Sequence, residues 1–215
     1  MKYQIIPVTP FQQNCSLVWC DETMKAAVID PGGDIDRILT EVKKLGVSLE
    51  KVWLTHGHID HVGGAKLLSK QLNIPIVGPH KADVFWLESL ADQSQHFGLK
   101  ACEPFVSDQY LEDGDTLTIG KLTLKVLHCP GHTPGHVVFF CEKAKTAWVG
   151  DVLFHGSVGR TDFPQSNHDD LISSITKKLW PLGRDVEFIP GHGPISTFGS
   201  ERDQNPFVAD QLFNQ

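Results

Sequence analysis

The segment "THGHIDH", at Thr55–His61, places three histidines and one aspartate directly after the apolar run Val52–Leu54. A short apolar run of this kind is typical of a buried β-strand. In folds that combine helices and sheets, the ends of strands collect the loops that carry function. The segment therefore predicts a strand that ends in a ligand-bearing turn, and the rest of the chain must fold so that this turn is used.

Three further turn-like segments each follow a predicted strand and each hold a potential metal ligand. They are "CPGHTPGH" (Cys129–His136), "VGD" (Val149–Asp151) and "IPGHG" (Ile189–Gly193). A glycine beside each donor lets the backbone come close to a bound ion. We expect all four segments to converge on one cleft.

The spacing of the donors indicates two metal ions. Side chains at i and i+2 of an extended stretch point the same way, so His56 and His58 can bind one ion together. Asp60 and His61 lie where a helix begins and face a second point. The four segments offer more imidazole and carboxylate donors than one tetrahedral ion can bind. A second ion is therefore expected, and a carboxylate such as Asp151 can bridge the two ions. A lone histidine at a strand end is usually structural, but this crowding, with glycine-flanked donors later in the chain, favours metal.

Hydrophobic periodicity predicts strands alternating with single helices. The predicted strands are Tyr3–Val8, Ser16–Trp19, Lys25–Ile29, Val52–Leu54, Ile74–Val77, Thr116–Ile119, Leu122–Leu127, His136–Cys141, Thr146–Val149 and Val186–Ile189. The predicted helices are one capped by Asp34 and stopped by Gly46, then Val62–Leu72, Ala82–Ala91, Asp169–Leu179 and a last one from Glu201 onward, disturbed by Pro206. This order favours sheets covered by helices on their outer faces, in one domain over residues 1–215.

Composition restricts the class of protein. The net charge of -7 gives no attraction to nucleic acid or an anionic membrane, so neither is expected as a partner, and no protein partner is implied. The first residues do not resemble a signal peptide, and no apolar stretch approaches the roughly 20 residues of a spanning helix. The five cysteines form no Cys-x-x-Cys pair, so we expect reduced thiols and a cytoplasmic protein.

The motif His56-Gly57-His58-Ile59-Asp60-His61 resembles the HxHxDH signature of metallo-β-lactamase-fold hydrolases. With "VIDPGGD", "GDVLFHGSVGRTDFP" and "PGHGPISTFGSERDQNPF", the resemblance covers nearly the whole chain and is nearest to short bacterial members of the glyoxalase II (hydroxyacylglutathione hydrolase) branch. It implies an α+β fold, a four-layer αββα sandwich with the metal site at one edge of two sheets. It implies metal ligands at His56, His58 and His132 for the first ion, at Asp60, His61 and His192 for the second, and Asp151 as the bridge. The ions are expected to be zinc, with iron or manganese tolerated.

The resemblance implies hydrolysis of hydroxyacylglutathione thioesters, with S-D-lactoylglutathione giving D-lactate and glutathione in methylglyoxal detoxification. A hydroxide bridging the ions would attack the carbonyl carbon, Asp60 and Asp151 being the catalytic carboxylates. The absence of a G-x-S-x-G motif agrees, since no side-chain nucleophile is then required.

Two other residues have competing interpretations. Asp30 matches a position that supports the metal ligands in this family, and the alternative is an aspartate that merely starts the turn before Pro31. Arg160 stands where longer members have a glutathione-binding lysine, and the alternative is an internal ion pair with Asp162. The longer enzymes' two substrate-binding tyrosines correspond to Asp162 and Pro194, and their C-terminal helical domain is missing. Weaker or different recognition of glutathione, and acceptance of other thioesters, is therefore expected.

Other functions remain open at this point. Persulfide dioxygenases share the fold and the "GRTDF" stretch but use one iron, so metal counting and oxygen consumption distinguish them. A lactonase, another thioesterase, and a metal-stabilised binding module without activity are the remaining alternatives.

Overall fold

The computed structural model describes residues 1–213, in which strands and short helices alternate along the chain. A first sheet has the spatial order β1 (Lys2–Val8), β2 (Gln13–Trp19), β3 (Lys25–Ile29), β4 (Ser48–Trp53) and β5 (Ile76–Val77). The second sheet contains β6 (Thr116–Ile119), β7 (Leu122–His128), β8 (Val137–Cys141), β9 (Thr146–Gly150), β12 (Glu187–Pro190) and β13 (Ser196–Thr197), ordered β13-β12-β9-β8-β7-β6. Between β9 and β12 along the chain, β10 (Leu153–Phe154) and β11 (Ser157–Val158) form a separate ribbon.

Helices pack on the outer face of each sheet. Those beside the first sheet are α1 (Ile35–Leu45), α2 (Ile59–Val62), α3 (Ala65–Leu72), α4 (Val84–Glu88) and α5 (Leu90–His96), and those beside the second are α6 (His168–Ser174) and α7 (Phe198–Gln204). Within the described residues, no helix has the length and apolar character needed to cross a membrane.

The central strands bury both faces, and the alternation of their side chains separates three apolar layers. In β8, Val137 and Phe139 point into the layer between the two sheets, whereas Val138 and Phe140 point into the layer beneath α6. In β3, Ala27 faces the layer between the sheets, and its neighbours face α1. Two sheets that share an apolar interface, each covered by helices, confirm the predicted αββα sandwich.

Strand pairing explains why the ligand segments meet. β3 and β4 run parallel, so Asp30 and Thr55, which follow them, emerge at one sheet edge. β9 and β12 also run parallel, so Asp151 and the segment after Pro190 emerge together on the second sheet. β8 runs antiparallel to β9, so its start at Val137 lies at that same edge. Parallel neighbours deliver their carboxyl ends to one place, which is where the four segments converge.

Several local predictions were wrong in detail. Asp34 precedes α1 but does not cap it, because its backbone is left-handed (φ 49°) and its carboxylate accepts a hydrogen bond from the backbone N–H of Thr9 at 2.8 Å. The expected helix over Val62–Leu72 is interrupted at Gly63 and Gly64, which separate α2 from α3.

Other predicted boundaries also shift. The helix predicted for Ala82–Ala91 is a 3-10 turn at Lys81–Asp83 followed by α4 and α5, and the one predicted for Asp169–Leu179 changes to π geometry at Ile175–Leu179. The last helix begins before Glu201, because Thr197 caps it at the backbone N–H of Ser200, and it ends before Pro206. The strands β10, β11 and β13 were not predicted. The single domain over 1–215 stays a prediction, and its last two residues lie outside the described ones.

Candidate metal centre

The first cluster of donors lies on two loops that follow β4 and β7. Ligand atoms of His56, His58 and His132 lie within 4.8 Å of one another, and all three residues are buried. The Nε2 atom of His132 is 3.0 Å from Nδ1 of His58. The structure thus brings together the three residues predicted for the first ion.

Fixed hydrogen bonds on the outer side of two of these rings set their tautomers. The Thr55 hydroxyl donates to Asp30 Oδ2 at 2.6 Å, so its oxygen can accept from Nδ1 of His56, 3.0 Å away. Nδ1 of His132 donates to the backbone carbonyl of Arg160 at 2.8 Å. A neutral imidazole that donates through Nδ1 carries its lone pair on Nε2. Both rings therefore turn a lone pair toward the centre of the cluster.

The second cluster joins the start of α2 to the loop after β12. Ligand atoms of Asp60, His61 and His192 also lie within 4.8 Å of one another. Nδ1 of His61 donates to Asp30 Oδ2 at 2.9 Å, and Nδ1 of His192 donates to the carbonyl of Phe11 at 3.2 Å. Nε2 of His192 faces Asp60 at 3.1 Å. These rings also direct Nε2 inward.

Asp151 lies between the two clusters. Its Oδ1 is 3.4 Å from Nε2 of His61, and its Oδ2 is 3.6 Å from Nε2 of His132 and 3.8 Å from Nε2 of His192. One carboxylate thus faces imidazoles of both clusters, which is the arrangement that bridging requires. The three segments predicted to converge with "THGHIDH" therefore all meet it at this site.

The buried polar atoms of this site fit divalent cations. Nε2 of His56 and His61 and Oδ1 of Asp151 are buried and have no hydrogen-bond partner among the described residues. His58 turns Nδ1 inward, toward Nε2 of His132. Burying such groups unpaired costs free energy, and in proteins buried imidazoles and carboxylates are satisfied by partners or by metal ions. The donors are nitrogen and oxygen atoms, which divalent ions such as zinc, iron and manganese accept.

The protonation states suit a cation as well. Burial lowers the pKa of His56, His132 and His58, the last to about 3, so these rings are neutral. Burial would raise the pKa of Asp60 and Asp151, but His61 and the other facing imidazoles hold both pKa values below the ordinary range. Both carboxylates are therefore ionised at neutral pH.

The second cluster holds its protons more tightly than the first. Burial lowers the pKa of His61, but Asp151, Asp60 and Asp30 outweigh it and raise that pKa well above the ordinary value. The pKa of His192 is raised by its bond to Asp60. Because a ligand imidazole must be neutral, cation uptake at this cluster displaces protons.

Asp30 supports the ligands from outside. Its Oδ1 accepts the backbone N–H of Thr55 at 2.8 Å, and its Oδ2 accepts from the Thr55 hydroxyl and from His61. A carboxylate oxygen of Asp30 also lies within 4.8 Å of ring nitrogens of His56 and His61. Both oxygens of Asp30, however, already accept hydrogen bonds. Its backbone is left-handed (φ 51°), an uncommon conformation outside glycine that the surrounding bonds maintain.

Three residues that support the two clusters, Asp83, Gln93 and Asn14, were not recognised in the sequence analysis. Asp83 is fully buried, and its carboxylate accepts hydrogen bonds from the backbone N–H groups of Gly57 and Gly135 at 2.9 and 2.6 Å. Gln93 accepts the backbone N–H of Ile59 at 2.9 Å and so fixes the start of α2. Their positions in the chain carry no spacing signal, because each acts on a loop more than twenty residues away.

Asn14 holds the loop of His192. Its side-chain amide donates to the carbonyls of Pro190 and Gly193 at 3.0 and 2.9 Å. His136 accepts the backbone N–H of Asp151 at Nε2, 3.1 Å away, and its ring stacks on that of His56 at 4.7 Å. It positions the backbone of Asp151 and belongs to neither cluster.

Arg160 is exposed and forms an ion pair with Asp162, which is one of the two interpretations that the sequence analysis left open. Its Nε and Nη2 donate to the two carboxylate oxygens of Asp162 at 3.0 and 2.8 Å. Its guanidinium carbon also lies 4.7 Å from the ring centroid of Phe163. The side chain of Arg160 thus lies at the rim of the site, and its backbone carbonyl contacts His132 of the first cluster.

Comparison with known proteins gives consistent matches. The model of the metallo-beta-lactamase superfamily matches residues 8–204. The hydroxyacylglutathione hydrolase GloC of Haemophilus influenzae is 46% identical over 209 residues, which are 97% of this chain and 98% of that protein. The crystal structure of BLEG-1 B3 metallo-beta-lactamase has a TM-score of 0.89 at 35% identity, covering 96% of this chain and 99% of that chain. The crystal structure of TTHA1623 in a di-iron-bound form has a TM-score of 0.87 at 35% identity, covering 95% of this chain and 100% of that chain.

Proposed function

The chain belongs to the metallo-beta-lactamase superfamily, and from that membership we propose that it is a metal-dependent hydrolase of hydroxyacylglutathione thioesters. The observation that carries this proposal is the inward orientation of the donors, with buried Nε2 atoms of His56 and His61 that have no partner among the described residues. Hydrogen bonds to Asp30, to Thr55 and to a backbone carbonyl hold the rings in that orientation. Such preorganisation has no use in a fold that only packs.

The proposed ligand sets are those of the sequence. His56, His58 and His132 would hold one divalent ion, Asp60, His61 and His192 a second, and Asp151 would contact both. Zinc is the proposed metal, with iron or manganese as tolerated substitutes, because a shell of imidazoles and carboxylates lacks the thiolates that select soft ions. The di-iron form of the similar TTHA1623 supports that tolerance.

Bound divalent ions supply water of lowered pKa and polarise a carbonyl oxygen. The side chains of the protein orient the attacking water. Asp60, ionised at neutral pH, accepts a hydrogen bond from the attacking water and orients its lone pair toward the thioester carbonyl carbon. The attacking water gives up a proton to solvent as the C–O bond forms and the C–S bond breaks. Sulfur leaves as a thiolate without a strong general acid, because thiol pKa values are near 8.5, and then takes up the second proton of the water, so that the products are a carboxylate and a thiol.

The substrate class is inferred from the relative. The similarity to a hydroxyacylglutathione hydrolase over nearly the full length of both chains supports S-D-lactoylglutathione as substrate, with D-lactate and glutathione as products. This is the thioester formed in the detoxification of methylglyoxal. We place the enzyme in the cytoplasm, since all five cysteines are free and four of them are buried.

Metal analysis combined with thiol release tests the proposal. The purified protein should contain close to two equivalents of metal and should release thiol from S-D-lactoylglutathione, followed with a thiol reagent. Asp151→Ala should lose both metals and the activity, whereas Asp185→Ala, at an exposed carboxylate paired with Lys145, should change neither. Full metal loading without thiol release would overturn the proposal. One iron per chain with oxygen consumption on glutathione persulfide would replace it by a dioxygenase.

A further inference from the structure

A large cavity opens beside the metal clusters. It has a volume of about 810 Å³ and reaches His58 and Asp60, one donor from each cluster. Cavities that bind small organic molecules typically measure about 300–1,000 Å³. Its remaining walls come mainly from α4, α5 and the turn at Phe163 and Pro164.

The inner walls of this cavity are aromatic. The ring of Trp86 lies 4.5 Å from that of His58, and the ring of Phe163 lies 4.8 Å from it. Trp86 and Phe163 meet edge to face at 6.2 Å, and Phe85 adjoins Trp86 at 5.0 Å. Any group attached to a carbonyl at the clusters would therefore meet aromatic faces first.

Polar groups contribute little to these walls. The amide of Gln93 is used within the fold, because it accepts from Ile59 and donates to Trp86 and to the hydroxyl of Ser89. The Ser89 hydroxyl donates in turn to the carbonyl of Trp86 at 3.0 Å. The remaining polar residues, Asp92, Gln95 and His96, are exposed and lie at the mouth.

The charge of the cavity disfavours the glutathione part of a substrate. Among the described residues that line it, the charged side chains are Asp60 and Asp92, and there is no lysine or arginine. Asp60 belongs to the proposed ligand set, so the charged side chain of the lining outside that set is Asp92, which repels the two carboxylates of glutathione. A basic residue at the edge of this region is Arg160, whose guanidinium lies over the ring of Phe163. The ring of Phe163 thus has the apolar cavity as one neighbour and a cation as another.

We propose that this cavity binds the acyl group of the substrate and selects acyl groups with an apolar, especially aromatic, substituent, while the thiol carrier extends past Phe163 toward Arg160. The proposal rests on the thioester hydrolase function above and specifies its substrate class. A methyl group, as in the lactoyl thioester, fills a small part of such a cavity. A phenyl group in its place reaches the lining rings of Phe85, Trp86 and Phe97, and apolar contacts of this size change kcat/KM by roughly tenfold or more.

A matched pair of substrates tests the preference. S-D-mandeloylglutathione differs from S-D-lactoylglutathione by a phenyl group in place of a methyl group. Its kcat/KM should be about tenfold higher. Phe97→Ala, which removes a ring at the cavity wall, should reduce this ratio by at least threefold. Phe207→Ala, which removes an equally exposed ring (47% exposed against 46%) outside the lining, should leave the ratio unchanged.

Binding of inert thioethers provides a second measurement that does not need turnover. S-benzylglutathione should bind the metal-loaded protein about tenfold more tightly than S-methylglutathione in isothermal titration calorimetry, and Phe97→Ala should reduce the difference. Equal kcat/KM values for the two thioesters together with equal thioether affinities would overturn the inference and leave the hydrolase function intact. Failure to hydrolyse either thioester would instead count against the hydrolase function, with the thioether affinities still reporting on the cavity.

Discussion

Asp83 accepts a hydrogen bond from the hydroxyl group of Thr133 at 2.7 Å, and both residues are completely buried. The same carboxylate accepts the backbone N–H groups of Gly57 and Gly135. Gly57 separates His56 from His58, and Thr133 follows His132. One buried carboxylate therefore holds together the two loops that carry the first cluster.

Asp83→Ala should destabilise the protein strongly. Three buried donors would lose their acceptor, and each costs about 1–3 kcal/mol when left unsatisfied. A loss of about 3 kcal/mol or more in the free energy of unfolding is expected from urea titration. Thr133→Val, which removes one of the three donors, should cost about 1 kcal/mol. Asp185→Ala, at an exposed carboxylate, should stay near zero, and an Asp83→Ala protein as stable as this control would show that the loops are held by other contacts.

Asp30→Asn should weaken metal binding most at the second cluster, because Asp30 contacts His61 directly and reaches His56 of the first cluster only through Thr55. The carboxylate accepts the Nδ1 proton of His61 at 2.9 Å, whereas an amide group there can donate to Nδ1 and move the ring proton to Nε2, on the side that faces Asp151. Loss of such a supporting acceptor typically weakens metal binding by about 10–100-fold. Metal analysis at limiting zinc should therefore give close to one ion per chain.

Asp34→Asn is the matched control. Asp34 has nearly the same left-handed backbone (φ 49° against 51°), and its carboxylate also accepts a backbone N–H, from Thr9, but it does not contact the ligand histidines. It should retain two ions. Loss of the same metal from both variants would mean that the backbone turn, and not the His61 bond, controls the site.

Local patterns in the sequence predicted what depends on neighbouring residues. The strand Lys25–Ile29 and the end of α1 at Gly46 agree with the structure, because a short continuous apolar run and a left-handed glycine leave direct signals. The donor segments were recognisable for the same reason, since each glycine-flanked histidine or aspartate follows a run that must be buried. The placement of seven donors around two points follows from parallel strand ends, a property of the fold class.

Contacts between distant residues explain what the sequence did not predict. Asp83 acts on loops 26 and 50 residues away, and nothing in the stretch around it distinguishes it from a surface aspartate. Asp34 has a residue type favoured at helix caps, but its bond to Thr9, 25 residues earlier, uses the carboxylate elsewhere. The interpretations of Arg160 stayed open because an exposed arginine has many partners within reach.

Gly191→Ala should disrupt the centre while leaving the fold intact. A Cβ atom at this position would lie 2.0 Å from Oδ1 of Asp151 and 2.7 Å from Cε1 of His61. The carboxylate of Asp151 would have to move by about 1 Å, and a displacement of this size costs about 100-fold in rate. Thiol release should fall accordingly, with an unchanged far-ultraviolet circular dichroism spectrum. In the control Gly33→Ala, the nearest atom is the side-chain Cγ2 of Thr9 at 3.1 Å, which can yield, so activity should be retained.

Tyr3 should ionise at unusually high pH. Burial and the hydrogen bond to Glu187, at 2.8 Å, raise its pKa to about 12. Because the folded state keeps a proton that the unfolded chain loses near pH 10, this bond stabilises the fold below pH 10 and its contribution is lost as the pH rises toward 12. The chain has two tyrosines, so absorbance at 295 nm resolves them. Tyr3→Phe should remove the step near pH 12, Tyr110→Phe should leave it, and Glu187→Gln should lower its midpoint.

Arg160→Ala should raise KM for glutathione thioesters without a comparable change in kcat. The guanidinium is 70% exposed and pairs with Asp162, and exposed pairs contribute about 0–1 kcal/mol, so stability should hardly change. If the arginine also attracts a glutathione carboxylate, its removal weakens substrate binding by several-fold, and Arg160→Lys should restore part of the loss because the charge is kept. Asp162→Ala, which frees the arginine from its partner, should lower KM. An unchanged KM in Arg160→Ala and Asp162→Ala alike would assign the arginine to the ion pair alone.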